Sequence, residues 1–351
     1  MAKLFYKDKP IIGLDISQTG VKVMAIDYKK WLVLGYGSVD LDPAKVQASL
    51  ESGDPYLAEN ISALLREKII GELPSEQTVL SVPTSRTFSR TFTVPTKAEA
   101  TLADAVEIEV EQYIPIPIGS LYVDYGIIER TKDELTVIMA AVPKTLVDSV
   151  LTAATTAGLQ PIMVEPGINA VARVIEATEE GHLPTLIVDI GPASTDIAVL
   201  DGGAIRISGG VGIGGNTFTL DIAKKLGVAL ENAHQLKVLN GLSAGPRRAK
   251  ITAALQPSLG RIATEIRKVI RYYNERISDD RKLEQMIIVG GGSNVPGIGD
   301  FFTNELVMPT RVASPWQKLD FGKLPQPNKQ FRPRYITVAG LASVDQREVW
   351  K

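Results

Sequence analysis

Two aspartates in this 351-residue chain stand in matching surroundings. Gly13-Leu14-Asp15-Ile16-Ser17-Gln18-Thr19-Gly20 and Val188-Asp189-Ile190-Gly191-Pro192-Ala193-Ser194-Thr195-Asp196 each place an acid near the end of an apolar strand, ahead of a tight turn of small and hydroxyl residues. Small turn residues leave backbone N–H groups open to the oxygens of an anion, so such a concavity can cradle phosphate. A carboxylate beside it suits hydrated Mg²⁺, which takes oxygen ligands and keeps much of its water shell. Ser17, Gln18 and Thr19 in the first turn, and Gly191, Ser194 and Thr195 in the second, are the phosphate-side candidates. Asp15 and Asp189 are the candidates for Mg²⁺ held through water. Taken singly, either unit reads as an ordinary hairpin with turn-forming Asp, Ser and Gly.

A third element adds to these. Ile287-Ile288-Val289-Gly290-Gly291-Gly292-Ser293-Asn294 is a strand running into a triple glycine. With no side chains there, a flat base or an α-phosphate can lie against the backbone. The competing reading is a strand end whose glycines serve tight packing. Gly210-Val211-Gly212-Ile213-Gly214-Gly215 satisfies G-x-G-x-x-G, but no strand follows to complete a βαβ crossover. Its glycines read instead as the start of a helix beside phosphates. No G-x-x-x-x-G-K-[ST] loop is present.

The elements that must position these residues follow a repeating plan. Apolar runs at 10–16 and 21–28 form a hairpin, and 31–41 extends it. Residues 55–70 have helical apolar spacing, and 79–82 is a buried-type strand ended by Pro83. An α+β module occupies 84–160, with strands at 87–94, 121–129 and 134–142 and helices at 97–113 and 145–158. In the first of these helices, Leu102, Val106, Val110 and Tyr113 are expected to pack inward, opposite the acidic set Glu99, Asp104, Glu107 and Glu111. A strand at 161–165 and a helix at 167–178 resume the larger domain. From 185 the hairpin-plus-strand pattern returns at 186–190, 196–200 and 204–208, an internal duplication. Helices are expected at 216–239 and 252–277, a strand at 286–289, an extended loop at 313–334 and a short helix at 336–344. The basic run 261–276 reads as the solvated face of an amphipathic helix.

Composition removes several classes of function. Net charge is −2, which leaves no global footprint for nucleic acid. Two histidines, both expected at the surface, and no cysteine exclude the usual zinc and iron–sulfur sites, a disulfide framework and a thiolate nucleophile. No apolar run approaches the ~18 residues of a membrane span, and the first ten residues lack a signal-peptide core. A soluble intracellular protein is the expectation.

The three motifs in this order resemble the actin/chaperone/sugar-kinase ATPase superfamily. The first phosphate motif falls at 11–22, the second at 186–200 and the adenosine motif at 287–299. Thr337-Val338-Ala339-Gly340-Leu341-Ala342 and Met163-Val164-Glu165-Pro166 are similar to its connecting motifs. Val106-Glu107-Ile108-Glu109-Val110-Glu111-Gln112-Tyr113-Ile114-Pro115, the basic, aromatic N-terminus with its Leu4-Phe5-Tyr6 cluster and Gly214-Gly215-Asn216-Thr217-Phe218-Thr219 narrow the resemblance to PilM-type type IV pilus assembly proteins. An inserted module is shared with the cell-division relative FtsA, and the absence of an amphipathic helix after Val344 favours PilM.

The resemblance implies an α/β, actin-like ATPase fold: two duplicated ribonuclease H-like domains with nucleotide in the cleft between them and an inserted α+β module in the first. Residues 1–83, 161–184 and 336–351 would form domain 1, 84–160 the module, 185–215 and 285–335 domain 2, and 216–284 its helical lobe. It implies ATP and Mg²⁺ as cofactors, with Glu165 positioning the attacking water and Asp189 as the second catalytic residue. Lys22, Gly214, Gly215, Asn216, Lys237, Gly290, Gly291, Gly292 and Asn294 join the turn residues as nucleotide contacts. Where the relatives carry E-x-x-K on a ribose-binding helix, this chain reads His234-Gln235-Leu236-Lys237, a departure at the first position.

The function implied is a cytoplasmic ATP-binding scaffold, at most a slow ATPase. It would hold the cytoplasmic tail of a PilN-like inner-membrane component in a groove beside the module and link it to the pilus motor. It would be peripheral to the membrane through that partner, able to oligomerise, and without a nucleic-acid partner. The alternatives are an FtsA-like filament-forming protein and a small-molecule kinase of the same superfamily. Zero cysteines, and no Asp base in a Gly/Asn-rich loop, speak against the kinase.

Overall fold

Val- and Ile-rich runs too short for helices build two sheets with one connectivity. The computed structural model describes residues 10–179, 183–277, 282–313, 316 and 318–345. The Leu4-Phe5-Tyr6 cluster and His182 lie outside them. The chain divides into unit 1 (Met1–Thr178, Pro315–Pro327, Tyr335–Lys351) and unit 2 (Glu179–Ser314, Asn328–Arg334).

In unit 1, β1 (Ile12–Ser17), β2 (Gly20–Asp27) and β3 (Leu32–Asp40) form an antiparallel meander. With β4 (Ile70–Gly71), β5 (Gln77–Val82) and β9 (Gln160–Pro166), they make a sheet in the order β4-β3-β2-β1-β5-β9. β5 lies parallel to both β1 and β9 and is buried along its whole length, as strands covered on both faces are.

One face of the sheet is covered by α1 (Pro43–Ser52), α2 (Tyr56–Glu67) and α4 (Lys144–Thr156). Their Val46, Leu50, Leu57, Ile61, Leu64 and Val150 pack on Ile12, Leu14 and Ile16. Full burial of such a side chain contributes about 1.5–3 kcal/mol. The other face carries α5 (Gly167–Thr178) and α10 (Ile336–Ala342). The α10 backbone passes so close to Gly13 that a Cβ there would collide with Val338 O, and one at Gly340 would collide with Ala170 O. The small residues of 337–342 are therefore explained by helix–sheet and helix–helix approach.

A three-stranded antiparallel sheet, β6 (Phe88–Pro95), β8 (Glu134–Pro143) and β7 (Leu121–Arg130) in that order, makes the inserted module. α3 (Leu102–Tyr113) covers one face, with Leu102, Val106 and Val110 packed on Leu135, Val137 and Met139. Tyr113 differs from expectation: it is exposed, with the Arg90 guanidinium stacked 3.2 Å from its ring centroid and Arg90 paired to Glu109 at 3.2 Å. The helix expected at the end of the module, α4, buries Leu146, Val147, Val150, Ala153 and Ala154 in the core of the larger sheet. The module's own core is confined to residues 88–141.

Unit 2 repeats the plan. β10 (Thr185–Ile190), β11 (Thr195–Asp201) and β12 (Ala204–Val211) are antiparallel neighbours, and β13 (Gln285–Val289) and β14 (Thr310–Val312) add in parallel, giving β12-β11-β10-β13-β14. That order matches β3-β2-β1-β5-β9 strand for strand. The core also takes α6 (Gly215–Leu226), α7 (Leu230–Leu239), the 29-residue α8 (Arg248–Arg276) and α9 (Ile298–Leu306). The helix expected over 216–239 is two helices, because Gly227 at φ 64° ends α6 in the left-handed conformation. α8 buries Ile262, Ile266, Val269 and Tyr273 and exposes Arg261, Arg267, Lys268 and Arg271, the solvated face expected.

The segment 313–334, assigned by sequence wholly to the second domain, is divided. Trp316 and Phe321 pack with Tyr36 and Tyr335 in unit 1, whereas Asn328–Arg334 belong to unit 2. No helix of the described residues is long and apolar enough to cross a membrane.

Candidate functional site

The candidate residues fall into two sets, one in each unit. In unit 1, Asp15 sits opposite Lys22 across the β1–β2 ladder, and Lys22 Nζ lies 3.0 Å from Asp15 Oδ2. Ser81, from the otherwise apolar Val79-Leu80-Ser81-Val82 of β5, donates to Asp15 Oδ1 at 2.8 Å and accepts from Ile16 N–H at 3.1 Å. The carboxylate is buried with both oxygens engaged, and a lone hydroxyl in a buried apolar strand was the available signal for Ser81. In the turn, Ser17 Oγ donates to Gly20 O, while Gln18 and Thr19 are half-buried and have no side-chain hydrogen bond among the described residues.

Glu165 is the last acid of β9 and is buried. Its Oε1 and Oε2 accept from Arg173 Nη1 and Nη2 at 2.8 and 2.9 Å, a bidentate pair, and Arg173 also donates to Gly340 O at 2.9 Å. The pair ties β9, α5 and α10 together.

In unit 2, Asp189 and Asp196 are directly opposite one another on β10 and β11, so their side chains leave the same face. Like charges so placed repel, and a cation between or beside them relieves it. Asp196 ends the second motif, and its register opposite Asp189 makes it a functional candidate as well. The turn is closed by Gly191 N–H to Ser194 O at 2.9 Å, and Thr195 is buried with its Oγ1 donating to Ile213 O at 2.7 Å.

The first amides of α6 are occupied by this same turn. Gly215 N–H donates to Gly191 O and Asn216 N–H to Pro192 O, each at 2.9 Å, and a Cβ at Gly214 would strike Gly191 O and Pro192. Gly214 thus serves backbone-to-backbone docking, whereas a Cβ at Gly212 would meet nothing.

The triple glycine divides its labour. Gly290, at φ 81°, has Asp189 Oδ1 and Ile190 O where a side chain would be, and Gly292 abuts the Ile190 side chain. A Cβ at Gly291 would meet only Arg334, at an ordinary 3.5 Å. Gly290 and Gly292 therefore answer to packing, and Gly291 is the position with room for a flat group. Asn294 Nδ2 donates to Gln330 O at 2.8 Å, holding the 328–334 segment against the adenosine motif.

Beside Gly291 is a basic cluster. Lys237 is buried, donating to Gly215 O at 2.7 Å and Thr219 Oγ1 at 2.8 Å, with one ammonium hydrogen to spare. Burial first, and then the Arg334 charge, bring its pKa down to about 8. His234, exposed as expected, is also pushed down, by partial burial and then by Lys237 and Arg334. Arg334 comes from the aperiodic loop, which gave no sequence signal for it. A carboxylate pair for a cation, a basic cluster for an anion and a bare backbone for a planar ring together suit a metal-chelated nucleotide.

A duplicated sheet, each copy opened by an acid-bearing hairpin, is an actin-like ATPase fold. Solved structures agree. The chain superposes on a structure titled PilM-PilN type IV pilus biogenesis complex with TM-score 0.78 and 23% identity, covering 95% of this chain and 97% of that one. MreB 5 of Spiroplasma citri bound to AMPPNP matches with TM-score 0.57 and 13% identity over 95% of each chain. Within this class, the family model described as Type IV pilus assembly protein PilM matches residues 13–345, and the chain belongs to that family. Among curated proteins it is similar to cell division protein FtsA of Neisseria meningitidis serogroup B, 27% identical over 205 residues, 51% of this chain and 46% of that protein. The chain thus spans less than half the length of that curated relative.

Proposed function

We propose that this chain is an ATP-binding scaffold of the type IV pilus assembly machinery. It would hold the cytoplasmic tail of a PilN-like inner-membrane component and link it to the pilus motor. The observation that carries the nucleotide half is the open backbone at Gly291 flanked by Lys237 and Arg334. Asp15 and Asp189, the latter with Asp196 opposite it, would hold Mg²⁺ through water, Lys22 would contact the phosphates, and the metal would supply charge neutralisation of the phosphates. The bidentate Glu165–Arg173 pair favours binding over rapid turnover. The protein would then be cytoplasmic and peripheral to the membrane through its partner.

The partner half rests on family membership and on β7. This ten-residue strand is at an edge of the module sheet, with Tyr122, Tyr125 and Ile127 exposed along it. An extended tail can add there as a further strand, backbone pairing giving affinity and side-chain contacts specificity. ATP would bias the tail-binding state by differential affinity.

The test titrates ATP–Mg²⁺ and a PilN-like tail peptide, separately and together. It then repeats the titrations on a variant with residues 88–141 replaced by a short Gly-Ser linker, which spares α4 and the core it completes. Tail binding is expected to vanish and ATP binding to persist. Unchanged tail affinity in the folded variant would place the partner elsewhere.

A further inference from the structure

The basic groups around Gly291 are not all placed for a 5′-phosphate chain. Lys237 belongs to the phosphate end: its ammonium donates to Gly215 O, and the N–H of Gly215 is docked on Gly191 O of the second phosphate motif. Arg334 belongs to the base end, with its Cγ 3.5 Å and its Nε 3.9 Å from where a Cβ of Gly291 would stand. His234 lies one turn before Lys237 on α7 and feels the charge of both Lys237 and Arg334. In a nucleotide the ribose joins the base to the 5′-phosphate. A group set between those two ends therefore faces the ribose.

The ribose of ATP carries no charge, yet the side chain beside it is held as an anion receptor would be. The Arg334 guanidinium is stacked 4.9 Å from the Phe331 ring centroid, and the Arg334 N–H donates to Phe331 O at 3.0 Å. Asn294 fixes the same segment through Gln330 O at 2.8 Å. Stacking takes up one face of a guanidinium and leaves the donors on its edges, the part that grips an oxyanion with two parallel hydrogen bonds. His234 adds an imidazole N–H, which donates even from the uncharged ring. Among the described residues neither His234 nor Lys237 forms an ion pair, and Glu231, one turn before His234, pairs with neither. Two cations and an imidazole gathered on one spot oppose one another's charge, and an anion seated among them relieves this.

We propose, resting on the nucleotide reading, that the site prefers an adenine nucleotide whose ribose carries a further phosphate, on its 2′ or 3′ oxygen, with Arg334 and His234 as the residues that select it. Lys237 serves the 5′-phosphate. ATP uses the same base and 5′ contacts and leaves the ribose-phosphate subsite unfilled.

The experiment is calorimetric displacement of ATP–Mg²⁺ from the full chain by AMP, adenosine 2′,5′-bisphosphate and adenosine 3′,5′-bisphosphate. The bisphosphates differ from AMP only in the ribose phosphate, and between them they separate the 2′ from the 3′ position. One of them is expected to bind at least about tenfold more tightly than AMP, ~1.4 kcal/mol. In Arg334→Gln that ratio should fall to within about twofold, and in His234→Gln it should fall by at least about threefold. A merely structural role would weaken AMP and bisphosphate together and leave the ratio unchanged. Bisphosphates that bind no better than AMP, while ATP–Mg²⁺ binds, overturn this proposal alone. So does a ratio that survives both substitutions, or an Arg334→Gln protein that loses affinity for all three competitors alike, as an arginine stacked on the base would give. Absence of ATP–Mg²⁺ binding in the wild type would instead remove the nucleotide reading, and this proposal with it.

Discussion

The backbone of Gly290 lies directly against the carboxylate of Asp189: at φ 81°, the place where any other residue would carry its Cβ is filled by Asp189 Oδ1 and Ile190 O. The adenosine motif and the second phosphate motif are therefore one packed object inside unit 2. Gly290→Ala is expected to lower stability by about 1–3 kcal/mol through backbone strain alone, and further by displacing Asp189. Gly291→Val is expected to behave oppositely: a folded protein of near wild-type Tm whose ATP affinity falls at least about tenfold, ~1.4 kcal/mol. Thermal unfolding with and without ATP–Mg²⁺ separates the two. A Gly291→Val protein that binds ATP normally would show that the base does not lie on that backbone.

The two motif aspartates should part company on substitution. Asp15→Ala strands Lys22 and Ser81 in partly buried surroundings, so the apo protein is expected to lose about 1–3 kcal/mol as well as ATP–Mg²⁺ affinity. Asp189→Ala is expected to weaken binding in Mg²⁺ far more than in its absence. Titrations with Mg²⁺ or with excess chelator read this difference directly. Equal losses under both conditions would remove Asp189 from the metal.

The hairpins were legible because alternating apolar residues around a polar turn admit few other structures, and the duplication followed from seeing that pattern twice. What lay beyond the sequence was approach in space. Ser81 reaches Asp15 from a strand 66 positions away, and no periodicity announces it. α4 is contiguous with the module, yet its apolar face enters the neighbouring core, since amphipathicity states that a face is buried and not against what. The triple glycine looked uniform, and only the position of β10 distinguishes the packed Gly290 and Gly292 from the open Gly291. Arg334 stood in a loop without pattern, and its partnership with Lys237 arises from the fold.

Glu165 and Arg173 pose a choice between water positioning and structural tie. Replacing one partner of the pair removes the tie that Glu165 gives Arg173 and, through it, β9, α5 and α10. Glu165→Gln is expected to lower Tm markedly and to change any ATP turnover little. Steady-state phosphate release and thermal unfolding, measured on the same preparation, decide it. A large fall in turnover with unchanged Tm would restore Glu165 to the water.

Lys237 gives the chain a pH dependence with a definite sign. Its ordinary pKa of 10.5 is brought down to about 8 in the folded protein, first by burial and then by Arg334. Between about pH 8 and 10.5 the unfolded chain therefore binds more protons than the folded one, and this residue makes stability rise with pH across that window. Nucleotide binding should run the other way. A phosphate beside the ammonium favours the protonated form, so ATP affinity is expected to fall as pH climbs past about 8, and binding near that pH should draw a proton from solution. His234, also pushed down, is the group that adds positive charge on acidification, so affinity should climb again below its depressed pKa. Calorimetric titration of ATP near pH 8 in two buffers of different ionisation enthalpy measures the proton uptake. It should be clear in the wild type and absent in Lys237→Met, with the climb at low pH lost in His234→Gln. Equal proton uptake in wild type and Lys237→Met would assign the linkage to another group and take Lys237 out of contact with the phosphates.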